Sequence, residues 1–148
     1  MAESPAYHIQ QYIVRQLRTL PWLLHVDTRE DAEGMDAERP AARVNLAAMP
    51  LEYNEQKDTF QGRRYRFHTL LWMDNPQEEV AQELSIVGRL DEAAALLNEV
   101  RLPFDGCLSL MLVEDCRLVV NTKTGDKMHR MDVTVRVSQS DFAVHEDI

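Results

Sequence analysis

The side chains that could carry acid–base or nucleophilic chemistry are few and lie far apart in the sequence. The two cysteines, Cys107 and Cys116, stand nine positions apart in apolar surroundings, where a cysteine typically serves as a small hydrophobe. No hydrolase, zinc-protease, dithiol or phosphate-binding motif occurs. The histidines fall on separate predicted elements without the four-residue spacing of a helical metal pair; they are His8, His25, His68, His129 and His145. The sequence therefore predicts a protein that is not an enzyme and holds no cofactor.

Carboxylates are the one reactive group that the sequence concentrates, in the stretch 27–40. Six acidic residues lie there without apolar periodicity. The spacing of Asp31, Glu33, Asp36 and Glu38 lacks the alternating ligands, central glycine and terminal glutamate of an EF-hand loop. We therefore expect a solvated acidic loop here and no metal site.

Length and charge limit the function classes. A chain of 148 residues is expected to form a single domain, and at this size about 68–70% of the unfolded surface is buried. The net charge of −9 repels phosphate, which disfavours nucleic-acid binding. The amino terminus lacks the apolar segment of a signal peptide, and no run approaches the roughly 18 apolar residues of a membrane span. We expect a protein made in a reducing cytosol, or a component of a particle assembled there.

The stretch from Cys116 to Ser138 predicts a β-hairpin. Apolar and polar residues alternate strictly from Met131 to Val137, which is typical of a strand with one buried face. The preceding arm, 116–121, is mostly apolar and rich in β-branched residues. A polar turn with Gly125 separates the arms. The rest of the chain is expected to pack against this hairpin.

Two helices are predicted. Ser4 and Pro5 suit a helix start, and Ile9, Ile13, Leu17 and Leu20 form one apolar stripe before Pro21. The second helix is predicted to start at Asn75 and Pro76 and to continue to Val100. Gly88 leaves open whether this helix is continuous or divides in two. Its predicted apolar stripe is Val80, Leu84, Val87, Leu90, Ala94 and Leu97.

Strands are predicted at 41–48, 51–54 and 63–72, with a third apolar segment at 107–113 that would also suit a buried helical turn. The fold class is therefore α+β: an antiparallel sheet with a long C-terminal hairpin packs against two helices, or three, in the order α-β-β-α-β-β. Residues 1–5 and 140–148 are expected to be flexible tails.

The strand at 63–72 separates its side chains into two classes. Tyr65, Phe67, Thr69 and Leu71 share one face, while Arg64, Arg66, His68, Leu70 and Trp72 share the other. Arginine interleaved with aromatic residues could bind nucleic acid. It could also be a solvated polar face paired with acidic neighbours, or a protein–protein contact, where arginine and tryptophan are enriched. The acidic net charge favours the solvated face over nucleic acid.

Three segments of the chain resemble the tail-terminator (tail-completion) proteins of long-tailed bacteriophages. They are the helix at 12–21, the arginine-rich strand at 63–72 before a helix that starts with acidic residues, and the hairpin arms at 116–121 and 129–137 on either side of Gly125 and Asp126. The resemblance covers about residues 6–138 as a pattern of elements rather than as a single motif. The acidic stretch 27–38 departs from the family pattern.

The resemblance implies a structural virion protein at the head-proximal end of the tail. It implies a homo-oligomeric ring, six subunits in number, that caps the tail tube, ends tube polymerisation and joins the tail to the head. The implied partners are further copies of the chain, the tail-tube protein and a neck or head-completion protein. The genome DNA would only pass through the lumen, and no membrane is involved. The contact residues that this assignment predicts are Arg64, Arg66, His68, Trp72, Lys123, Lys127, Arg130 and Arg136.

Two other classes remain open from the sequence. The first is another head–tail connector or neck protein of the same kind of particle, which would share the architecture. The second is an adaptor or small-ligand domain unrelated to phage.

Overall fold

The computed structural model describes residues 4–30, 34–54, 59–73 and 82–145. Two helices occur in these ranges, α1 (Pro5–Leu17) and α2 (Gln82–Leu97). The strands are β1 (His25–Asp27), β2 (Ala41–Ala48), β3 (Leu51–Asn54), β4 (Thr59–Trp72), β5 (Phe104–Asp105), β6 (Leu112–Val120), β7 (Lys127–Val137) and β8 (Ala143–Val144). The predicted α+β class and the approximate element order are confirmed.

A six-stranded sheet forms the centre of the molecule. Its order is β1-β2-β4-β7-β6, and β3 pairs with β4 beyond the end of β2. Only β1 and β2 are parallel. Pro50 separates β2 from β3, because proline has no N–H to donate to a strand ladder. The two short strands β2 and β3 therefore pair with successive parts of the one long strand β4.

The predicted hairpin is present as β6 and β7, which pair along most of their length. Gly125 adopts a φ of +74° in the turn, a conformation that glycine reaches without strain. The Asn121 side chain accepts hydrogen bonds from the N–H groups of Lys123 and Thr124, which fixes the turn. The alternation from Met131 to Val137 is confirmed as a strand with one buried face, because the odd-numbered residues of this arm are buried in the core.

Both helices pack on one face of the sheet. Ile9, Ile13 and Leu17 of α1 are fully buried against Val44, Phe67 and the odd-numbered residues of β7, and each such side chain contributes roughly 1.5–3 kcal/mol. Ser4 caps α1 by accepting a hydrogen bond from the N–H of Tyr7. The predicted start and the apolar stripe through Leu17 are confirmed, so residues 4 and 5 do not belong to a flexible tail; the helix ends at Leu17 and not at Pro21 as predicted.

Helix α2 is continuous through Gly88, which decides between the two alternatives for residues 82–97. Its predicted start at Asn75 and Pro76 lies outside the described residues. The predicted stripe is confirmed at Leu97, which is fully buried, and at Leu90 and Ala94, which pack against the core. It is wrong at Val87, which is 56% exposed, and it omitted Ala93, which is fully buried.

The C-terminal part of the chain differs from the prediction. Residues 107–111 do not form a strand, and residues 112 and 113 already belong to β6; Cys107 and Met111 make isolated bridges to Val137 and Val100. The prediction of a free tail is wrong for residues 143–144, which pair with β5. Gly106 explains the close approach, since its φ is +84° and a Cβ there would lie 2.6 Å from the Phe142 nitrogen.

The acidic stretch is anchored where the structure describes it. Asp27 ends β1, and Met35 is buried against Trp72 and Ala41. The Arg39 guanidinium forms two hydrogen bonds with the Asp126 carboxylate, of 2.7 and 2.8 Å. The prediction of a solvated loop is confirmed for Glu30, Asp36 and Glu38, which are exposed, but Met35 and Arg39 hold this part of the loop against the sheet and the hairpin turn. Asp31 and Glu33 lie outside the described residues.

Candidate functional site

The face of the sheet opposite to the helices is the candidate site, and we call it the polar face. Strand register brings its residues into rows that run across β4, β7 and β6. Five arginines and three carboxylates lie on it, an excess of two positive charges on a chain of net charge −9. The arginines are Arg64, Arg66, Arg117, Arg130 and Arg136, and the acids are Glu114, Asp115 and Asp132.

The rows of the polar face place like and unlike groups side by side. Arg64 lies directly opposite Arg136, and Arg117 lies opposite Arg130. His68 lies opposite Asp132, with 3.5 Å between its Nε2 and the nearest carboxylate oxygen. Asp115 lies beside Arg117 and Asp132 lies beside Arg130, so carboxylates of the same face partly compensate the second pair of opposed arginines.

Four buried polar atoms of this face lack a hydrogen-bond partner within the described chain: Asn45 Oδ1, Arg66 Nε, Arg130 Nε and Asp132 Oδ1. Arg130 Nε lies 3.3 Å from Asp132 Oδ1, which is within ion-pair distance but is not a well-aligned hydrogen bond. A buried polar group without a partner costs about 1–3 kcal/mol, and because the chain itself already covers these four atoms, a bridging water suits them better than a second protein surface.

Glu114 is the carboxylate that joins β6 to this face. One of its oxygens accepts a hydrogen bond of 2.9 Å from the Thr134 hydroxyl, and the other lies 4.0 Å from the Arg66 guanidinium. A bulge between Val113 and Asp115 supplies the extra residue. The bulge thus brings the Glu114 carboxylate over β7. The arginines of the polar face still outnumber its carboxylates.

The predicted contact residues divide into three groups. Five of them, Arg64, Arg66, His68, Arg130 and Arg136, lie together on the polar face. Trp72 lies on the same side but is only 2% exposed, because Met35 and the loop around it cover the indole; the expectation that it stands on an exposed surface is wrong. Lys123 lies in the hairpin turn, and Lys127, opposite Val120, points to the helix side.

The covered end of the polar face is held by an ion pair that sequence reasoning missed. Arg43 is 1% exposed, and its guanidinium binds both carboxylate oxygens of Asp27, at 2.6 and 3.3 Å. It also donates to the Gly34 carbonyl at 3.0 Å and lies 5.2 Å from the Trp72 ring centre. The only sequence signal was an arginine in an otherwise apolar strand, 16 residues after an aspartate.

Two carboxyl groups at this end have lowered pKa values. Burial alone would raise the pKa of Asp27, but hydrogen bonds from Arg43 and His25 outweigh burial and lower it. The Arg39 guanidinium lowers the pKa of Asp126, which also accepts a hydrogen bond from Trp72. Both carboxylates therefore stabilise the fold above their ordinary pKa of 3.8, and this contribution is lost as the pH falls below it.

The free energy of unfolding is expected to decrease when the pH falls below about 6.5. Burial lowers the pKa of His68, with Arg130 adding to the effect, and burial lowers that of His129. Both histidines then bind protons more readily in the unfolded chain, so stability is full above the ordinary value of 6.5 and falls between there and the lowered pKa. Urea unfolding at about pH 7.5, 6.5 and 5.5 measures the free energy of unfolding across this range.

The matched variant is the double change His68→Gln and His129→Gln. Between about pH 7.5 and 5.5, the range in which histidine titrates, this variant should lose less stability than the unchanged chain. An equal loss in both proteins would show that other groups produce the dependence.

A cleft beside β5 and the C-terminal segment has different chemistry. It has a volume of about 770 Å³ and contains Cys107, Asp105 and His145. His145 and Asp105 lie 2.8 Å apart. Burial and the Asp105 charge raise the pKa of the Cys107 thiol, which keeps it protonated and weakly nucleophilic at neutral pH. This cleft is therefore poorly suited to nucleophilic catalysis.

The described residues contain neither a metal-binding group nor a membrane-spanning helix, and two searches for related proteins found no match. Among the described residues, no group of three or more histidine, cysteine or acidic side chains is arranged to hold a metal ion. Neither of the described helices is long and apolar enough to span a membrane. A scan against protein-family models and a search of curated proteins both gave no match.

Proposed function

We propose that the chain is a structural protein of a long-tailed bacteriophage that forms a ring on the end of the tail tube. The ring ends tube polymerisation and joins the tail to the head. The observation that carries the proposal is the polar face: five arginines against three carboxylates, on a chain of net charge −9, suit a surface that another protein covers. The resemblance in element order and in the hairpin arms supplies the class of particle.

The charge distribution supports self-assembly. The polar face has an excess of positive charge, so the rest of this acidic chain is more negative than the chain as a whole. A neighbouring copy can therefore offer carboxylates to Arg66 and Arg130 from a different part of its surface. Contacts between two different surfaces are heterologous, and they close into a ring when the rotation between subunits allows.

The same features suit a cap on a tube. Tube growth stops when the exposed end no longer matches an incoming tube subunit in shape and charge. Acidic side chains such as Asp36 and Glu38 would repel the phosphates of DNA that passes through the lumen. The partners under this proposal are further copies of the chain, the tail-tube protein and a neck or head-completion protein.

Charge reversal on the polar face provides the test. The double variant Arg64→Glu and Arg66→Glu should lose the ability to limit tube length. Its stability should change by less than about 1 kcal/mol, because both side chains are at least partly exposed. The assay adds the chain to polymerising tail-tube protein of the same particle and measures tube lengths and end structures by electron microscopy.

The matched control is Arg15→Glu with Arg18→Glu, which makes the same change of charge on exposed positions of α1 and its C-cap. The control should still cap tubes. Unlimited tube growth in the presence of the unchanged chain would contradict the proposed function. Normal capping by the variant at Arg64 and Arg66 would show that the polar face is not the contact. A ring that forms without stopping growth would favour a different head–tail connector.

A further inference from the structure

The outer edge of β6 is covered along its first half and open along its second. At the start of the strand, Asn98 accepts a hydrogen bond of 3.0 Å from the Val113 N–H, and Val100 bridges Met111 just before it. From Cys116 to Val120, β7 lies on one side of β6, and no other described strand lies on the second side. This five-residue segment, 116–120, is the open edge.

Backbone direction along the open edge follows from the hairpin turn. Asn121 donates its N–H to the Asp126 carbonyl across the turn, at 2.8 Å. Because residues alternate in an antiparallel ladder, Val119 and Arg117 also direct their N–H and C=O groups towards β7. Cys116, Leu118 and Val120 therefore direct theirs outward, where another strand can pair with them.

The side chains of the open edge form an apolar row. Leu118 is 51% exposed and Val120 is 46% exposed, and Cys116 is also exposed. Register with Met131 and His129 places the row on the helix side of the sheet, where Asp91 of α2 lies near Cys116 at the start of the row. An exposed apolar edge strand is a template for pairing, and natural proteins usually protect such an edge with a charge or a proline.

We propose that two copies of the chain pair through this edge, antiparallel and centred on Leu118. In this register Leu118 lies opposite its own copy, and Cys116 lies opposite Val120 of the partner copy. Three apolar side chains of each copy then form one continuous row, and the outward backbone groups of the same residues complete a ladder. The second copy is thus the occupant of the open edge.

Charge favours a second copy in this register. Arg117 donates two hydrogen bonds to the Asp115 carboxylate of its own strand, so the edge brings no net charge to the contact although the chain as a whole is acidic. Pairing centred on Arg117 would place two guanidinium groups directly opposite each other, which is unfavourable. Pairing centred on Leu118 places Arg117 opposite Val119.

This inference goes beyond the proposed function and does not depend on it. Pairing through the same surface of both copies has two-fold symmetry and closes at two subunits, unlike the heterologous contact of a ring. The pair is therefore a state of the free chain, in which the apolar edge is protected before assembly.

Sedimentation velocity over a range of concentrations tests the pair. The unchanged chain should form a reversible dimer. Leu118→Lys should weaken the dimer about tenfold or more, because it removes the central apolar contact and opposes two ammonium groups. Val87→Lys is the matched control: Val87 is 56% exposed on α2 and does not belong to the open edge, so this variant should dimerise normally.

Hydrogen exchange of the unchanged chain gives a measurement that does not depend on a variant. The amides of Leu118 and Val120 should exchange slowly at high concentration and faster on dilution. A monomer at every concentration, a dimer that Leu118→Lys leaves intact, or equal weakening by Val87→Lys would overturn the inference. Tube capping is measured separately, so a dimer without capping contradicts only the proposed function, and capping without a dimer contradicts only this pairing.

Discussion

Asp27→Asn is expected to lower the free energy of unfolding by about 3–5 kcal/mol. The substitution keeps the shape of the side chain but removes the negative charge that faces Arg43. The Arg43 side chain is only 2% exposed, so its positive charge would remain buried without the carboxylate that faces it. Urea unfolding followed by circular dichroism measures the change, and the dependence on urea should keep its slope.

The control for this prediction is the exposed ion pair of Asp115 and Arg117, which also joins an aspartate to an arginine through two hydrogen bonds. Asp115→Asn should leave stability unchanged within error, since solvent screens an exposed pair. A second comparison replaces both buried partners, with Asp27→Asn and Arg43→Met. This double variant should be more stable than the sum of the single changes indicates, because no unpaired charge stays buried. Additive losses would show that Arg43 and Asp27 are not coupled.

The predictable parts of the fold are those in which local pattern and tertiary packing agree. The apolar stripe of α1 and the alternation of β7 both face the core as predicted, because each is strongly periodic and bounded by clear stop signals. The assignment of β4 side chains to two faces is confirmed for the same reason. Proline at position 50 also marked the break between β2 and β3 correctly.

The parts that could not be predicted depend on contacts between distant segments. Arg39 and Asp126 are 87 residues apart, yet their ion pair holds the acidic stretch against the hairpin turn. Phe142 packs on Phe104, which fixes a segment that looks polar and terminal in the sequence. Composition predicts solvation in both regions, since it contains no information about which distant partner is available.

The candidate site was predictable in part. Periodicity placed Arg64, Arg66 and His68 on one face of β4, and the alternation from Met131 to Val137 placed Arg136 on one face of β7. That the two sets adjoin follows from the pairing of β4 with β7, which no local pattern specifies. Trp72 was misjudged because its strand position gives only its side of the sheet, whereas its burial depends on Met35, 37 residues away.

Trp72→Ala is expected to destabilise the fold by about 3–5 kcal/mol. The indole packs against Met35 and Ala41, lies over the Arg43 guanidinium and donates a hydrogen bond to Asp126. Its removal would leave a cavity at the point where the acidic stretch meets the sheet. Thermal and urea unfolding measure the loss, and Tyr7→Ala, at an aromatic residue that is 56% exposed, should change stability by no more than about 0.5 kcal/mol.

Trp72→Phe separates a structural role from a contact role. Phenylalanine keeps most of the buried apolar surface but loses the N–H that binds Asp126. The free energy of unfolding should therefore decrease by about 1 kcal/mol, and the protein should remain folded. Because Trp72 is covered by its own chain, this variant should still limit tube length, unlike the charge reversal at Arg64 and Arg66. Loss of capping with stability preserved would mean that the stretch around Met35 moves away from the sheet during assembly and exposes the indole to a partner.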